Sequence, residues 1–213
     1  MAEGFNYICV QGDSVESIAA EHGHFWQTLW DDSHNSELKE LRKDPQILFP
    51  GDSVYVPALR EKEESKATDG RHTFKRKGVP SKLRLVLMEN GKPRAAEKYV
   101  IELDGKLIEG TTAGDGSVEI PIPPTVKSGR LILSPGQKER IFPLNLGGLD
   151  PITELSGVQT RLRNLGFPVG EQVGGLNDET REAIEMFQDQ MGLPVTGEPD
   201  AATRDKLKQQ HGC

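Results

Sequence analysis

Cysteine is scarce: the 213 residues contain two, Cys9 in an apolar run and Cys213 at the last position. A disulfide framework is therefore not expected. Long hydrophobic runs are missing too, and none approaches the length needed to cross a bilayer. The opening MAEGFNYICVQ has no basic patch followed by an apolar stretch, so no secretory signal is expected and synthesis is read as cytoplasmic. Positive charge is in deficit, with 26 Lys and Arg against 33 Asp and Glu and a formal charge of −7. That excludes bulk attraction to polyanions and makes nucleic acid a poor partner. What remains is 28% charged and 35% hydrophobic, with 23 Gly and 14 Pro, a loop-rich composition for one or two domains, or three small ones.

One tetrad occurs twice. Gly12-Asp13-Ser14-Val15 and Gly51-Asp52-Ser53-Val54 lie within the stretch from Tyr7 to Pro57. After the first, Val15, Ile18, Ala19 and His22 share one helical face, Asp13 and Glu16 are placed as cap and capping box, and Gly23 suits a left-handed stop. After the second, Val54-Tyr55-Val56-Pro57 reads as a short strand. Phe5 to Val10 reads as an earlier strand, and Trp26, Leu29 and Trp30 mark a second helix. Leu38 and Leu41 extend helical structure to Arg42, and Asp44-Pro45 breaks it. The resulting order is strand, helix, helix, strand.

The pattern Tyr7-x-x-x-x-Gly12-Asp13-Ser14-Val15-x-x-Ile18-Ala19, then Trp30, Asn35, Leu48, Pro50-Gly51-Asp52-x-Val54-x-Val56-Pro57, resembles a LysM domain. The resemblance implies a βααβ module that binds N-acetylglucosamine polymers, with Gly12, Asp13 and Ser14 on one lip of a groove and Leu48, Phe49, Pro50 and Gly51 on the other. The segment Ser36 to Gln46 is longer than the usual connection. With Asn35, Arg42, Asp44-Pro45 and Leu48 it resembles the LysM branch found with contractile injection machines, where such modules also serve as structural connectors.

From Arg60 to about Gly78 both charge signs mix with few apolar residues, which reads as a linker. The cluster Lys75-Arg76-Lys77 fits that solvated linker better than a nucleic-acid patch, given its acidic neighbours. Periodicity two then begins at Leu83, Leu85 and Leu87, with turn signals at Glu89-Asn90-Gly91, Asp104-Gly105 and Asp115-Gly116. Strands are expected at Tyr99 to Leu103, Lys106 to Glu109, Ser117 to Ile122, Arg130 to Ser134 and Ile141 to Leu144, with Pro121, Pro123 and Pro124 confining their region to an edge or loop. A sandwich or barrel of six or seven antiparallel strands over Leu83 to Leu146 is the economical reading. The order of Tyr99, Asp104-Gly105, Glu109-Gly110-Thr111-Thr112 and Asp115-Gly116 resembles immunoglobulin-like or carboxypeptidase-regulatory-like spacer domains. Asp104 and Asp115 each precede glycine and read as turn residues rather than calcium ligands.

The helical period returns after Asp150-Pro151. Val158, Leu162 and Leu165 form one face of a helix that ends at Gly166; Thr180, Ala183, Ile184 and Phe187 form a second, capped by Asp178 or Asn177; Ala201 to Leu207 follow Asp200 as a third. The loops repeat: Val173-Gly174-Gly175 with Asp178-x-Thr180 is echoed by Val195-Thr196-Gly197 with Asp200-x-x-Thr203. Val158-Gln159-x-x-Leu162-x-x-Leu165-Gly166-Phe167, then Gly175, Thr180, Ala183, Phe187-Gln188, Gly192-Leu193, Gly197 and Thr203, resembles the three-helix peptidoglycan-binding domain common at the ends of cell-wall hydrolases. Where that family has Asp-Gly in its loops, this chain has Gly174-Gly175 and Thr196-Gly197. Phe187 and the leucines read as core, leaving Asn177, Gln188 and Thr196 as polar ligand candidates.

Catalytic signatures are not found. His22, His24 and His34 lack a Cys or carboxylate cluster to complete a metal site and read as surface residues, and no nucleophile elbow, HExxH or phosphate loop occurs. The expected architecture is multi-domain α+β: a βααβ module over 1–59, a charged linker over 60–79, an antiparallel β-sandwich-like spacer over 80–148 and a three-helix unit over 149–213. The expected function is non-catalytic, cofactor-free binding of peptidoglycan or another N-acetylglucosamine polymer by two linked modules. The protein is further expected to be an accessory or cargo of a contractile, type VI-like injection system, exported to periplasm or target cell. The rival expectation is a structural adaptor that docks a toxin or spike component through protein contacts.

Overall fold

A computed structural model describes residues 3–59, 65–73, 81–136, 138–171 and 173–212. Most of the expected linker, including Lys75-Arg76-Lys77, falls outside these residues, as does Cys213. The described chain is a mixed α and β structure with antiparallel sheets and six α-helices. Its buried apolar residues form three separate clusters.

The first cluster belongs to β1 (Phe5–Ile8), α1 (Val15–Glu21), α2 (Trp26–Trp30), α3 (Ser36–Arg42) and β2 (Ser53–Val56). The strands pair antiparallel with Tyr7 opposite Val54, and Val15, Ile18, Ala19, Leu29 and Trp30 of the helices pack against Val54 and Val56. The cap of α1 differs from the sequence expectation. Ser14, not Asp13, receives the Ser17 amide at 3.1 Å, and the box is closed by the Ser17 hydroxyl rather than Glu16. Asp and Ser both cap well, but here Asp13 is turned away to other donors and Glu16 is drawn to the hydroxyl of Ser81. The Ser36 to Gln46 insert forms α3, which a 3-10 turn at Ser33–Asn35 introduces and Lys43, at φ +60°, ends. Leu41, expected on its apolar face, is exposed.

Asn35 explains its place in the sequence pattern. Its amide donates to Leu29 O at 2.8 Å and Tyr55 O at 2.9 Å, and its oxygen accepts the Tyr55 amide at 2.7 Å. The buried side chain thus stands in for a third strand beside β2, satisfying backbone groups that an edge would leave open.

The second cluster is built by β3 (Ser81–Val86), β4 (Met88–Glu89), β5 (Lys92–Pro93), β6 (Lys98–Leu103), β7 (Lys106–Thr111), β8 (Ser117–Ile122), β9 (Ser128–Leu133) and β10 (Arg140–Asn145). A four-stranded sheet of order β10-β9-β6-β7 and the pair β3-β8 contribute alternate residues to one core: Tyr99, Ile101, Leu103, Leu131 and Leu133 from the former, Leu83, Val118, Ile120 and Ile122 from the latter. The strand number exceeds expectation because Asn90-Gly91 closes an extra two-residue ladder, β4-β5. Asn90, Gly91, Asp104 and Gly105 all take positive φ, as the primed hairpin turns require. Pro121 lies in β8, which among the described residues pairs with β3 alone, so it occupies the edge its missing amide demands.

The third cluster joins α4 (Leu155–Asn164), α5 (Asp178–Gln190) and α6 (Ala201–His211) around Val158, Leu162, Ala183, Ile184, Phe187 and Leu207. Asn177, not Asp178, caps α5, and Asp200 caps α6, each accepting the amide of the threonine three residues on at 2.8 Å. Leu165, expected on the buried face of α4, follows its last turn and is 37% exposed.

Candidate functional site

The two Gly-Asp-Ser-Val copies fold into the same turn. Asp13 N donates to Val10 O and Asp52 N to Phe49 O, at 3.1 and 3.0 Å. Gly12 and Gly51 take φ of +90° and +95° at the third turn position, the sign a type II turn needs there. Each aspartate then folds back to accept the amide that opens its turn, Val10 N at 2.9 Å and Phe49 N at 2.8 Å. Cys9 lies between the turns, donating to Asp52 O and accepting from Gly51 N at 2.8 and 2.9 Å, so the two loops are neighbours.

Their charges are matched differently. Asp52 receives two 2.8 Å hydrogen bonds from Arg42 of α3, and both side chains are more than nine-tenths buried. The paired carboxylate raises the guanidinium's affinity for its proton. Asp13 receives the Tyr7 hydroxyl at 3.1 Å and Lys127 Nζ at 2.9 Å, the latter from the segment before β9. Burial, followed by the hydrogen bond to Asp13, pushes the Tyr7 hydroxyl's pKa up. Of the expected lip residues, Pro50 and Gly51 are exposed, Gly12, Ser14 and Phe49 are half-buried, and Asp13 and Leu48 are buried. Phe49 lies under the Arg42 guanidinium, 5.6 Å from ring centre to Cζ.

In the third unit the loop repeat becomes a repeated hydrogen-bond device. Gln159 on α4 donates to Gly175 O at 3.0 Å and Thr180 Oγ1 at 2.9 Å while accepting Gly174 N at 2.8 Å. Gln188 on α5 donates to Thr196 Oγ1, Glu198 O and Thr203 Oγ1 at 3.0, 3.0 and 2.9 Å while accepting Thr196 N and Gly197 N at 2.8 and 3.0 Å. Each helix therefore fixes the loop that follows it and the first-turn threonine whose amide the next helix's cap receives. Gln188 has no exposed surface, so its amide holds the loop from beneath, whereas Thr196 is exposed and Asn177 half-buried. Gln159 entered the sequence reading only as part of the family pattern, because it stands 15 residues before Gly174 and 21 before Thr180, whereas Gln188 stands 9 before Gly197 and 15 before Thr203. Val173 and Val195, named in the sequence only as part of the loop repeat, stand 59% and 56% exposed, one and two residues before the glutamine-bound Gly174 and Gly197. An exposed apolar group on a fixed loop suits the methyl of an N-acetyl group.

The histidines are dispersed in their contacts. His34 stacks on Tyr55 at 4.2 Å and meets Asp32, His24 bonds Pro57 O at 2.9 Å, and the His22 ring meets the edges of Phe5 and Tyr7. Among the described residues no group of three or more His, Cys, Asp or Glu is placed to hold a metal ion. No described helix is long and apolar enough to cross a membrane. Burial, reinforced by the charges of Asp13 and Asp52, pushes the Cys9 thiol up to about 12, a poor nucleophile's value. Two shallow hollows, of about 410 and 400 Å³, run along Arg94 and Glu97 of the second unit, away from either loop pair. Of their lining charges, Arg94 is paired with Glu97, and Glu89 with Arg140 beside the hollow.

Residues 153–207 match the family model "Putative peptidoglycan binding domain". No curated protein and no solved structure matches the chain. The matched span contains Gln159, Gln188, both fixed loops and both exposed valines, so the family match and the duplicated device coincide. Peptidoglycan is accordingly the partner that the match supports for this part of the chain.

Proposed function

We propose that the protein is a non-catalytic binder of peptidoglycan whose third unit meets the glycan through the loops 173–177 and 195–200. The observation that carries this is the coincidence of the family match over 153–207 with two loops held in one geometry by Gln159 and Gln188. Fixed loops bind without first losing conformational freedom. The first unit is a LysM-like module joined through a charged linker and a sandwich-like β spacer, with boundaries at 1–59, 60–79, 80–148 and 149–213. Its added helix α3, whose Arg42 locks Asp52, supports membership of the branch associated with contractile, type VI-like injection systems. In that setting the chain is an accessory or cargo carried to the periplasm or a target cell.

Co-sedimentation of the full chain with insoluble peptidoglycan sacculi at moderate salt tests the binding. Pelleting that weakens in Val173→Asp and Val195→Asp is expected. Absence of the wild-type chain from the pellet would sink the wall-binding reading. A second reading, an adaptor that docks a spike or toxin protein without glycan, draws on the burial of Asp13 and Leu48 at the first unit's lips. It predicts an unchanged supernatant in the same assay.

A further inference from the structure

The Gly12-Asp13 loop is covered by another part of the same chain. Lys127 reaches across it: its Nζ lies 2.9 Å from Asp13 Oδ1, and its Cδ would stand 3.2 Å from a Cβ placed on Gly12. The backbone of Gly147 closes the other side, for a Cβ there would fall 2.7 Å from Gly12 O. A 2.9 Å hydrogen bond from Leu146 N to Lys127 O holds these two covering groups together at the end of the four-stranded sheet. Around this centre run further polar bridges: Ser81 to Glu16, Gln11 to Asp150 at 3.2 Å, and Arg42 to Glu154 at 3.6 Å.

The chemistry of this contact differs from that of the cores beside it. No described hydrophobic cluster contains residues of two units, so charge and hydrogen bonds carry the association. An interface without an apolar centre is weak enough to open. Lys127 is decisive because Asp13 is 3% exposed in its side chain while Lys127 is 43% exposed. Water and salt reach the cation but scarcely reach the carboxylate, whose remaining donors, Tyr7 and Val10, are neutral.

We infer that Lys127 is a latch: it docks the second unit on the Gly12-Asp13 loop, and ligand reaches that loop only when the latch releases. The docking half stands on geometry alone. The access half rests on the glycan-binding reading of the first unit.

Hydrogen exchange and small-angle scattering on the full chain test both halves, comparing wild type, Lys127→Ala, Lys127→Arg and Arg130→Ala. The last removes an equal charge from an exposed pair with Glu102 inside the four-stranded sheet. Lys127→Ala is expected to speed exchange of the Val10 to Ser14 amides by about tenfold or more and to raise the radius of gyration. Lys127→Arg and Arg130→Ala should behave as wild type. Tetra-N-acetylglucosamine should then slow exchange at Val10 to Ser14 in Lys127→Ala and leave the wild type unchanged. Identical exchange and scattering in wild type and Lys127→Ala would overturn the latch. Opening without protection by the tetramer would uphold the docking half and overturn the access half, whatever the sacculus assay gives for the third unit.

Discussion

Asp13 and Asp52 make the same hydrogen bond, each carboxylate accepting the amide three residues before it, at 2.9 and 2.8 Å. The doubled tetrad is thus a doubled turn, and what separates the copies is the source of the cation. Arg42 neutralises Asp52 from within the same unit, while Lys127 comes to Asp13 from the second.

Breaking the Arg42–Asp52 pair tests the first of these. Both side chains are buried, so Arg42→Ala leaves an uncompensated carboxylate, a change that costs about 3–5 kcal/mol. A denaturant titration followed by tryptophan fluorescence reads it directly, since Trp26 and Trp30 belong to the same unit. A loss well below 1 kcal/mol would contradict a buried, structural pair.

Gln188→Leu should be costly without removing any atom from the surface. It strands the amides of Thr196 and Gly197 beside an apolar side chain, at about 1–3 kcal/mol for each unsatisfied group that stays buried. Gln159→Leu should do the same to Gly174. Circular dichroism melts and sacculus pelleting should fall together in both variants, and full glycan binding with an unfixed loop would separate the loops from recognition.

How much of this was legible in the sequence depends on where the deciding contact lay. Helical faces such as Val158 and Leu162, or Ala183, Ile184 and Phe187, follow from spacing and are buried together. The Asp-Gly and Asn-Gly turns were equally local. The α1 cap was not, because adjacent Asp13 and Ser14 are both good caps and the choice was made by Tyr7 and Lys127, one of them far along the chain. Gln188 was legible as a special residue, but its side, inward rather than toward ligand, is fixed by Thr196, Gly197 and Thr203 closing around it. Leu41 and Leu165 had the right spacing for a core, yet they stand 59% and 37% exposed.

Alkaline pH should weaken the first unit. The Cys9 thiol lies at about 12 in the fold against 9.0 for the free group, and Tyr7 is also raised, from 10.0. The unfolded chain therefore gives up these protons first as pH climbs. Their stabilising contribution is complete below about pH 9 and is lost as pH rises toward 12. In a Cys213→Ser background, denaturation midpoints should fall from pH 8 to about pH 11, and fall less once Cys9→Ala is added. At pH 8 a thiol reagent should label Cys9 only after unfolding, so rapid labelling of the folded chain would contradict its burial.

The proposed binding of peptidoglycan by the two fixed loops of the third unit is read by amide chemical-shift mapping of the full chain with a soluble peptidoglycan fragment. Saturable shifts should gather at Val173 to Asn177 and Val195 to Asp200, the former disappearing in Gln159→Leu and the latter in Gln188→Leu. Unshifted amides throughout 153–207 at saturating fragment would contradict it.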